Sequence, residues 1–391
     1  MSRVIYITDD HYEDYQVYRF EFHELSKLGI NNEVWNISTL KNDGKEAKIK
    51  TEAHLKEEIA VNSFQDIESL LNKLYSHDLV IIGMPIDDYV LKVLYLIELK
   101  SVHYAYLMDT HNIPNHLTSP FINTLKLHVK KIVNYLSKSK KYNKYPIPDY
   151  VLFASAKHGL DIHKQYLEYL RVLNSKIYIL HSYDFNQMKY ISGVRAISYP
   201  YFVFIDQYMP FHPDNRKYEN SFEPAQYYNS IAIQLERLCE LTKTQCIILL
   251  HPKSKGEELQ YIKEKMTCVH GDTAGYIKNS DFIVGQFSTA LSYGVIFNKP
   301  IIFIKSLGGP KYVNSYSNNF AKYLKKRAVF IKNNENIKSL LSINKKVYQK
   351  YINNYIKSDN SLDCSYSELV QNIIKYQMNN SSYEDNSIVL K

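Results

Sequence analysis

Short, continuous apolar segments rich in valine and isoleucine constrain the fold of this chain more than any other feature. They recur along the sequence and alternate with longer stretches of helical periodicity. Such runs are typical of parallel strands that are buried on both faces of a sheet. We predict strands at residues 4–8, 32–37, 79–83, 102–108, 146–154, 176–180, 201–205, 246–250, 282–284 and 300–304. The alternation of strand and helix predicts an α/β fold with doubly wound sheets.

A break in this pattern divides the chain. The 391 residues are enough for two domains of ordinary size, and the alternation lapses around residues 193–200. We therefore predict two Rossmann-like domains facing a central cleft, one at residues 1–197 and the other at residues 198–375. Residues 376–391 are predicted to form a flexible tail.

The net charge narrows the class of partner. A formal charge of +8 favours anionic partners such as nucleotide sugars, anionic lipid surfaces or nucleic acid. A lysine-rich solvated surface would give the same total. We predict no nucleic-acid partner, because the sequence contains no module of interleaved aromatic and basic residues.

The pair His251–Pro252 follows the predicted strand at residues 246–250. Ligands bind at the carboxyl ends of parallel strands, so an imidazole here could donate to a phosphate oxygen and protonate it as the leaving group departs. Proline fixes the direction of the chain directly after it. The alternative is a histidine at a strand end that is satisfied by the backbone. Lys253 could add positive charge for the phosphate, or lie exposed to solvent.

A second polar group follows the predicted strand at residues 282–284. Gly285 comes first, and Ser288 and Thr289 precede a predicted helix at residues 290–297. Hydroxyls and N–H groups at a helix N-terminus bind anions, although either residue could simply cap the helix. Thr273 begins another predicted helix and could be a second cap near a ribose or base in the same cleft.

These features together resemble a known group of enzymes. The segment from residue 201 to 304, with the runs YFVFIDQYMPFHPD, IILLHPKS and GQFSTALSYGVIF, resembles bacterial surface-polysaccharide glycosyltransferases of the GT-B fold. Within that group it is most similar to the sialyltransferase and Kdo-transferase type, which uses CMP-activated sugars. Those enzymes carry an HP motif and a Ser-Ser or Ser-Thr motif, here His251–Pro252 and Ser288–Thr289. The resemblance implies that His251 contacts the CMP phosphate and can act as general acid, and that the two hydroxyls hold the phosphate.

The resemblance also implies domain roles and a carboxylate. Residues 1–197 would bind the acceptor and residues 198–375 the donor. The related enzymes place an acid in the first domain, often in an Asp/Glu-Asp/Glu-Gly motif of which this chain has no clean copy. Asp109 and Asp206 are the leading candidates, followed by Asp10, and each stands near a predicted strand end. Such a carboxylate could deprotonate an acceptor or attack the anomeric carbon, so inverting and retaining routes both stay open. The alternative for each is a loop-capping aspartate.

The expected substrates are a CMP-sugar donor and a glycan or lipid-linked oligosaccharide acceptor of capsule, lipopolysaccharide or O-antigen. We predict no cofactor and metal-independent transfer, because the sequence contains no P-loop, no GxGxxG and no DxD-like motif in a convincing metal context. Within enzymes, the alternatives are a transferase that uses a UDP-sugar or CDP-glycerol, or an epimerase. From another class, the chain could be a non-catalytic scaffold in polysaccharide assembly.

The expected location is the cytoplasm. The first residues enter a strand without a signal segment, no apolar run approaches the roughly 20 residues of a membrane span, and the four cysteines lack CxxC spacing. A basic helix is predicted at residues 125–142. It could lie on the inner face of the membrane near a lipid-linked acceptor, or it could be a domain helix with a solvated basic face.

Overall fold

The computed structural model describes residues 2–9, 14–41, 58–109, 114, 146–154, 156–172, 174–188, 191, 197–212, 215, 221–262, 266–357, 359, 361–362 and 364–387. The helix predicted at residues 125–142 and the candidate Asp10 lie outside these ranges. Nothing in the described part of the chain is a helix both long and apolar enough to cross a membrane.

Two parallel sheets organise the described residues. The first contains β1 (Arg3–Thr8), β2 (Asn31–Asn36), β3 (Glu58–Ala60), β4 (Leu79–Ile82), β5 (Tyr104–Asp109), β6 (Tyr150–Ala154) and β7 (Lys176–Leu180). The second contains β8 (Tyr201–Ile205), β9 (Gln245–Leu249), β10 (Thr267–Val269), β11 (Ile283–Gly285), β12 (Ile301–Ile304) and β13 (Ala328–Val329). Their orders are β3-β2-β1-β4-β5-β6-β7 and β10-β9-β8-β11-β12-β13. Both sheets thus follow the Rossmann order, and the predicted α/β fold with two doubly wound domains is confirmed.

Helices join the strands and cover both sheets. In chain order they are α1 (Asp14–Arg19), α2 (Phe22–Lys27), α3 (Ser38–Lys41), α4 (Phe64–Leu71), α5 (Asp88–Leu99), α6 (Lys157–Val172), α7 (Tyr183–Gln187), α8 (Pro224–Thr242), α9 (Thr273–Asn279), α10 (Leu291–Ile296), α11 (Lys311–Tyr323), α12 (Ile337–Leu340), α13 (Lys345–Tyr351) and α14 (Tyr366–Ser387). A π-helical turn at Ile352–Ile356 continues α13.

The central strand β8 is apolar at every position, and the packing on its two faces explains why. Tyr201, Val203 and Ile205 pack into the core on one face of the second sheet. Phe202 and Phe204 pack into the core on the other face. Because side chains alternate between the two faces of a strand, burial of both faces requires an apolar residue at every position.

The C-terminal helix α14 returns to the first domain. Tyr366, Leu369 and Val370 belong to the core beside β1, and the Tyr366 hydroxyl donates to the Tyr6 hydroxyl at 3.0 Å. Residues 366–374 were assigned from the sequence to the second domain, yet their apolar side chains pack on the first sheet. The other domain limits stay a prediction.

A second contact of α14, between Ser367 and Glu21, accounts for a break in a predicted helix. The sequence indicates one helix over residues 14–28, but the structure has α1 and α2 with Glu21 between them in the left-handed conformation, φ 52°. The buried Glu21 carboxylate accepts hydrogen bonds from the N–H and the hydroxyl of Ser367, at 2.9 and 2.7 Å. A carboxylate at the first turn of α14 stabilises that helix, and this tertiary contact overrides the local helical pattern.

Candidate active site

The predicted site residues of the second domain follow four strands that are neighbours in the sheet. In the order β10-β9-β8-β11, Thr273 comes after β10, His251 after β9, Asp206 after β8 and Ser288 after β11. The direction of winding reverses between β8 and β11, and doubly wound sheets bind ligands at this switch point. Adjacent strands are about 4.8 Å apart, so roughly 10 Å separates β9 from β11. The structure therefore brings these residues to one edge.

His251 is half-buried in a turn, and its ring orientation is set by the backbone. The Lys253 N–H donates to Nδ1 of His251 at 3.1 Å, and the Ser254 N–H donates to the His251 carbonyl at 2.9 Å. A ring nitrogen that accepts a hydrogen bond carries no proton, so the neutral ring holds its proton on Nε2. Nε2 is therefore the donor nitrogen. Lys253 is half-buried in this turn, whereas Pro252 is exposed.

Hydrogen bonds join the loops that follow β8, β9 and β11. The β8 loop (residues 206–212) provides Gln207, whose side-chain oxygen accepts from the Phe287 N–H at 3.1 Å. It also provides Tyr208, whose hydroxyl donates to the carboxylate of Glu257 in the β9 loop (residues 250–258). The β8 loop thus connects the turn that carries His251 to the β11 loop (residues 286–290) that carries Ser288 and Thr289.

Asp206 lies beneath the β8 loop. Its carboxylate is 2% exposed and accepts hydrogen bonds from the Tyr208 N–H at 3.2 Å and the Tyr228 hydroxyl at 3.4 Å. Burial, assisted by the negative charge of Glu258, raises the pKa of Asp206 to about 7. These contacts are those of a loop-capping aspartate, and the catalytic role suggested from the sequence stays a prediction.

The serine–threonine pair stands half-buried in the turn before α10. The Ser288 hydroxyl oxygen accepts from the Ala290 N–H at 3.2 Å, and the Thr289 carbonyl accepts from the Ser292 N–H at 2.9 Å. A hydroxyl can accept and donate at once, so Ser288 can hold the turn with its oxygen and donate its proton to an anion.

Two other predicted residues have clear local roles. Gly285 ends β11, and a Cβ there would come within 3.0 Å of the Leu291 side chain, so glycine allows α10 to approach the strand. Thr273 is half-buried at the start of α9 but does not cap it. The cap is Asp272, whose carboxylate accepts from the Gly275 N–H at 3.1 Å, and the expectation of a Thr273 cap is wrong.

A second histidine lies beside His251 and was not among the predicted site residues. The rings of His212 and His251 are 4.8 Å apart between centroids and meet edge to face, with 80° between their planes. The Tyr208 ring is parallel to that of His251, with a centroid separation of 6.5 Å. The signal in the sequence was the second His-Pro pair, in the run PFHPD that begins five residues after the end of β8.

Asp109 and the segment after β7 lie at the carboxyl edge of the first sheet. Asp109 is the last residue of β5 at that edge. Beyond β7, the Ser182 N–H donates to the Ile356 carbonyl at 2.8 Å, and Asp184 accepts a hydrogen bond from Tyr293 of α10. The segment after β7 in the first domain, including α7, therefore contacts α10 and the π-helical turn of the second domain. Among the described residues, no group of three or more His, Cys, Asp or Glu side chains is placed to hold a metal ion.

No protein-family model and no curated protein matches the chain. Solved structures match it over nearly its whole length. A co-structure of S. aureus MnaA with UDP is 14% identical with a TM-score of 0.50, and the match covers 97% of each chain. The glycosyltransferase SnogD from Streptomyces nogalater is 9% identical with a TM-score of 0.46, covering 96% of this chain and 99% of its own. Acinetobacter baumannii MurG is 10% identical with a TM-score of 0.42, covering 96% and 100%.

These observations define the class of protein. Two Rossmann-type sheets, joined by a chain that returns to the first domain through α14, form the two-domain GT-B fold. The match to S. aureus MnaA spans both domains and agrees with this assignment.

Proposed function

We propose that this protein is a glycosyltransferase that takes a nucleotide sugar as donor. The observation that carries the proposal is the placement of His251 and the Ser288–Thr289 pair on loops that hydrogen bonds join, at the switch point of the second sheet. This edge offers an imidazole N–H and two hydroxyls to a phosphate. The GT-B fold supports the proposal, because its two carboxyl edges provide separate places for donor and acceptor.

In the proposed reaction, charge develops on the phosphate oxygen that leaves the sugar. The Nε2–H of the neutral His251 ring donates a hydrogen bond to this phosphate and stabilises its charge as the bond between sugar and phosphate breaks. The Ser288 and Thr289 hydroxyls donate to the remaining phosphate oxygens. Donors that are already oriented toward developing charge lower the barrier without reorganisation of solvent. Lys253 adds positive charge to the same turn.

A carboxylate must act on the acceptor hydroxyl, and we assign it to the first domain. Asp109 at the end of β5 and Asp10 beyond β1 are the two candidates, and Asp109→Asn and Asp10→Asn distinguish them. The variant of the aspartate that acts should lose sugar transfer and still bind the nucleotide. The reason is that this carboxylate contacts the acceptor and not the phosphate. Asp206 is buried under its own loop and accepts two hydrogen bonds there, which is why we place it second to these residues.

The donor nucleotide is a pyrimidine nucleotide in this proposal. The HP and Ser-Thr motifs favour a CMP-sugar, whereas the matching MnaA structure holds UDP, which favours the UDP-sugar alternative. We propose a surface glycan or lipid-linked oligosaccharide as acceptor and transfer at the cytoplasmic face of the membrane, without a metal or other cofactor.

Thermal-shift and calorimetric titration with CMP, CDP, UDP and GDP tests the proposal. One pyrimidine nucleotide should bind, and His251→Gln should weaken its binding and lower donor turnover about 100-fold or more. His23→Gln is the matched control, since His23 is an exposed histidine on α2 of the first domain. A protein that binds none of the four nucleotides would refute the transferase and favour the scaffold. A His251→Gln variant that transfers sugar as fast as the wild type would refute the role of His251. Conversion of the donor sugar to its epimer without acceptor would identify the epimerase.

A further inference from the structure

Two histidines from different loops meet above the second sheet. His212 lies at the end of the β8 loop and His251 in the β9 loop, and both are half-buried. Their ring centroids are 4.8 Å apart at 80°, so the edge of one ring faces the plane of the other. At this separation a single phosphate group can be in reach of nitrogen atoms from both rings.

The turn that places His212 is built with a strained residue. Tyr208 has φ 54°, a left-handed conformation that bulky residues rarely adopt. Its N–H donates to the buried Asp206 carboxylate at 3.2 Å, and its hydroxyl donates to Glu257. The Phe211 N–H then donates to the Tyr208 carbonyl at 3.0 Å and closes the turn. Several specific contacts offset the strain at Tyr208, and together they hold the backbone of the β8 loop in one conformation.

The chain is also held on the other side of His212. The Asn215 N–H donates to the His212 carbonyl at 2.9 Å, and the Asn215 side chain donates to the Met209 carbonyl at 2.9 Å. The Tyr312 hydroxyl of α11 donates to the Asn215 side-chain oxygen at 3.1 Å. Hydrogen bonds on both sides therefore hold the backbone of His212 in place next to His251.

We propose that His212 is a second imidazole of the donor-phosphate site, which contacts the same phosphate as His251. This inference rests on the proposed function and adds a binding residue to it. The β9, β8 and β11 loops would then each supply a donor, from His251, His212 and Ser288, in the order of their strands. Two imidazoles on one anion bind it more tightly than one, because each N–H donates a charge-assisted hydrogen bond to the ionised phosphate.

Calorimetric titration of His212→Gln with UDP, CMP and their nucleosides tests the proposal. Loss of a hydrogen bond to a charged group weakens binding about ten- to a hundredfold, so the nucleotide Kd should rise by this factor. The Kd for the nucleoside should not change, because it has no phosphate. His23→Gln, at an exposed histidine on α2 of the first domain, should leave both values unchanged. The double variant His212→Gln/His251→Gln should lose less than the product of the single losses, since both rings contact one group.

The outcomes separate the two proposals. If His212→Gln binds the nucleotide as the wild type does while His251→Gln does not, the role of His212 is refuted and the proposed function stands. If His212→Gln weakens nucleoside and nucleotide equally, His212 shapes the loop and the inference is refuted. A wild-type protein that binds no nucleotide refutes both. Should the variant fail to fold, imidazole 15N shifts of the wild-type His212 must respond to the nucleotide but not to the nucleoside, or the inference is wrong.

Discussion

Asp206 makes the stability of this protein depend on pH in a direction opposite to that of most carboxylates. Burial raises its pKa from the ordinary 3.8 to about 7. The folded protein therefore holds this proton more tightly than the unfolded chain does. The resulting stability is fully present below about pH 4, and it is lost as the pH rises to about 7 and beyond.

The two pKa values set the size of the effect. Linkage between them predicts that the free energy of unfolding falls by roughly 2.5 kcal/mol from pH 5 to pH 8 through this one group. Asp206→Asn removes the ionisation but keeps an oxygen that can accept from the Tyr208 N–H. The Tyr228 hydroxyl can accept from the new amide in place of donating to the carboxylate. The free energy of unfolding of the variant minus that of the wild type should thus increase by roughly 2.5 kcal/mol when the pH is raised from 5 to 8.

Urea denaturation followed by far-UV circular dichroism at both pH values measures this difference. Because the comparison is between variant and wild type, groups that titrate equally in both proteins cancel. Asp281→Asn is the control, since Asp281 is an exposed aspartate two residues before β11. If the profiles of Asp206→Asn and the wild type stay parallel within about 0.5 kcal/mol, the buried carboxyl ionises normally and the reasoning is refuted.

Two further predictions concern stability. Gly308 has φ +67°, and a Cβ there would lie 2.6 Å from the backbone nitrogen of Tyr227, so Gly308→Ala should lower the free energy of unfolding by roughly 2 kcal/mol or more. Gly271→Ala is the matched control, because Gly271 has φ +71° and no atom lies within 4 Å of the added Cβ. An equal loss of stability in both variants would show that the clash at Gly308 contributes nothing. Ser63 and Asp66 form a capping box at α4, so Ser63→Ala should cost about 1 kcal/mol in urea denaturation, while Ser63→Asp should restore most of it. Equal stability of Ser63→Ala and the wild type would show that the cap contributes nothing.

The predicted strands were recovered where burial on both faces leaves a continuous apolar run, as in β8. The edge strands β3, β10 and β13 were not predicted. β3 and β10 are short and partly exposed, and β13 has only two residues, whereas the equally short β11 is fully buried and was predicted. The helix at residues 14–28 was predicted as continuous. Its interruption depends on the bond between Glu21 and Ser367, whose partners are far apart in the chain.

The candidate site divides in the same way. The motif at His251 and the pair at Ser288 could be read locally, because each directly follows an apolar strand. The predicted role of Asp206 could not be judged locally, since its burial depends on Tyr228 and Glu258 from other elements. His212 was passed over because nothing in its own segment shows that it meets His251.

The sequence by itself determined the long or fully buried strands and the polar residues at their carboxyl ends, because a strand buried on both faces must be apolar at every position. Only the tertiary structure decided the order β10-β9-β8-β11, which makes those ends neighbours. It also decided the pairing of His212 with His251. Strand order and ring contacts depend on interactions between residues that are distant in the chain. A local pattern of side chains cannot predict such interactions.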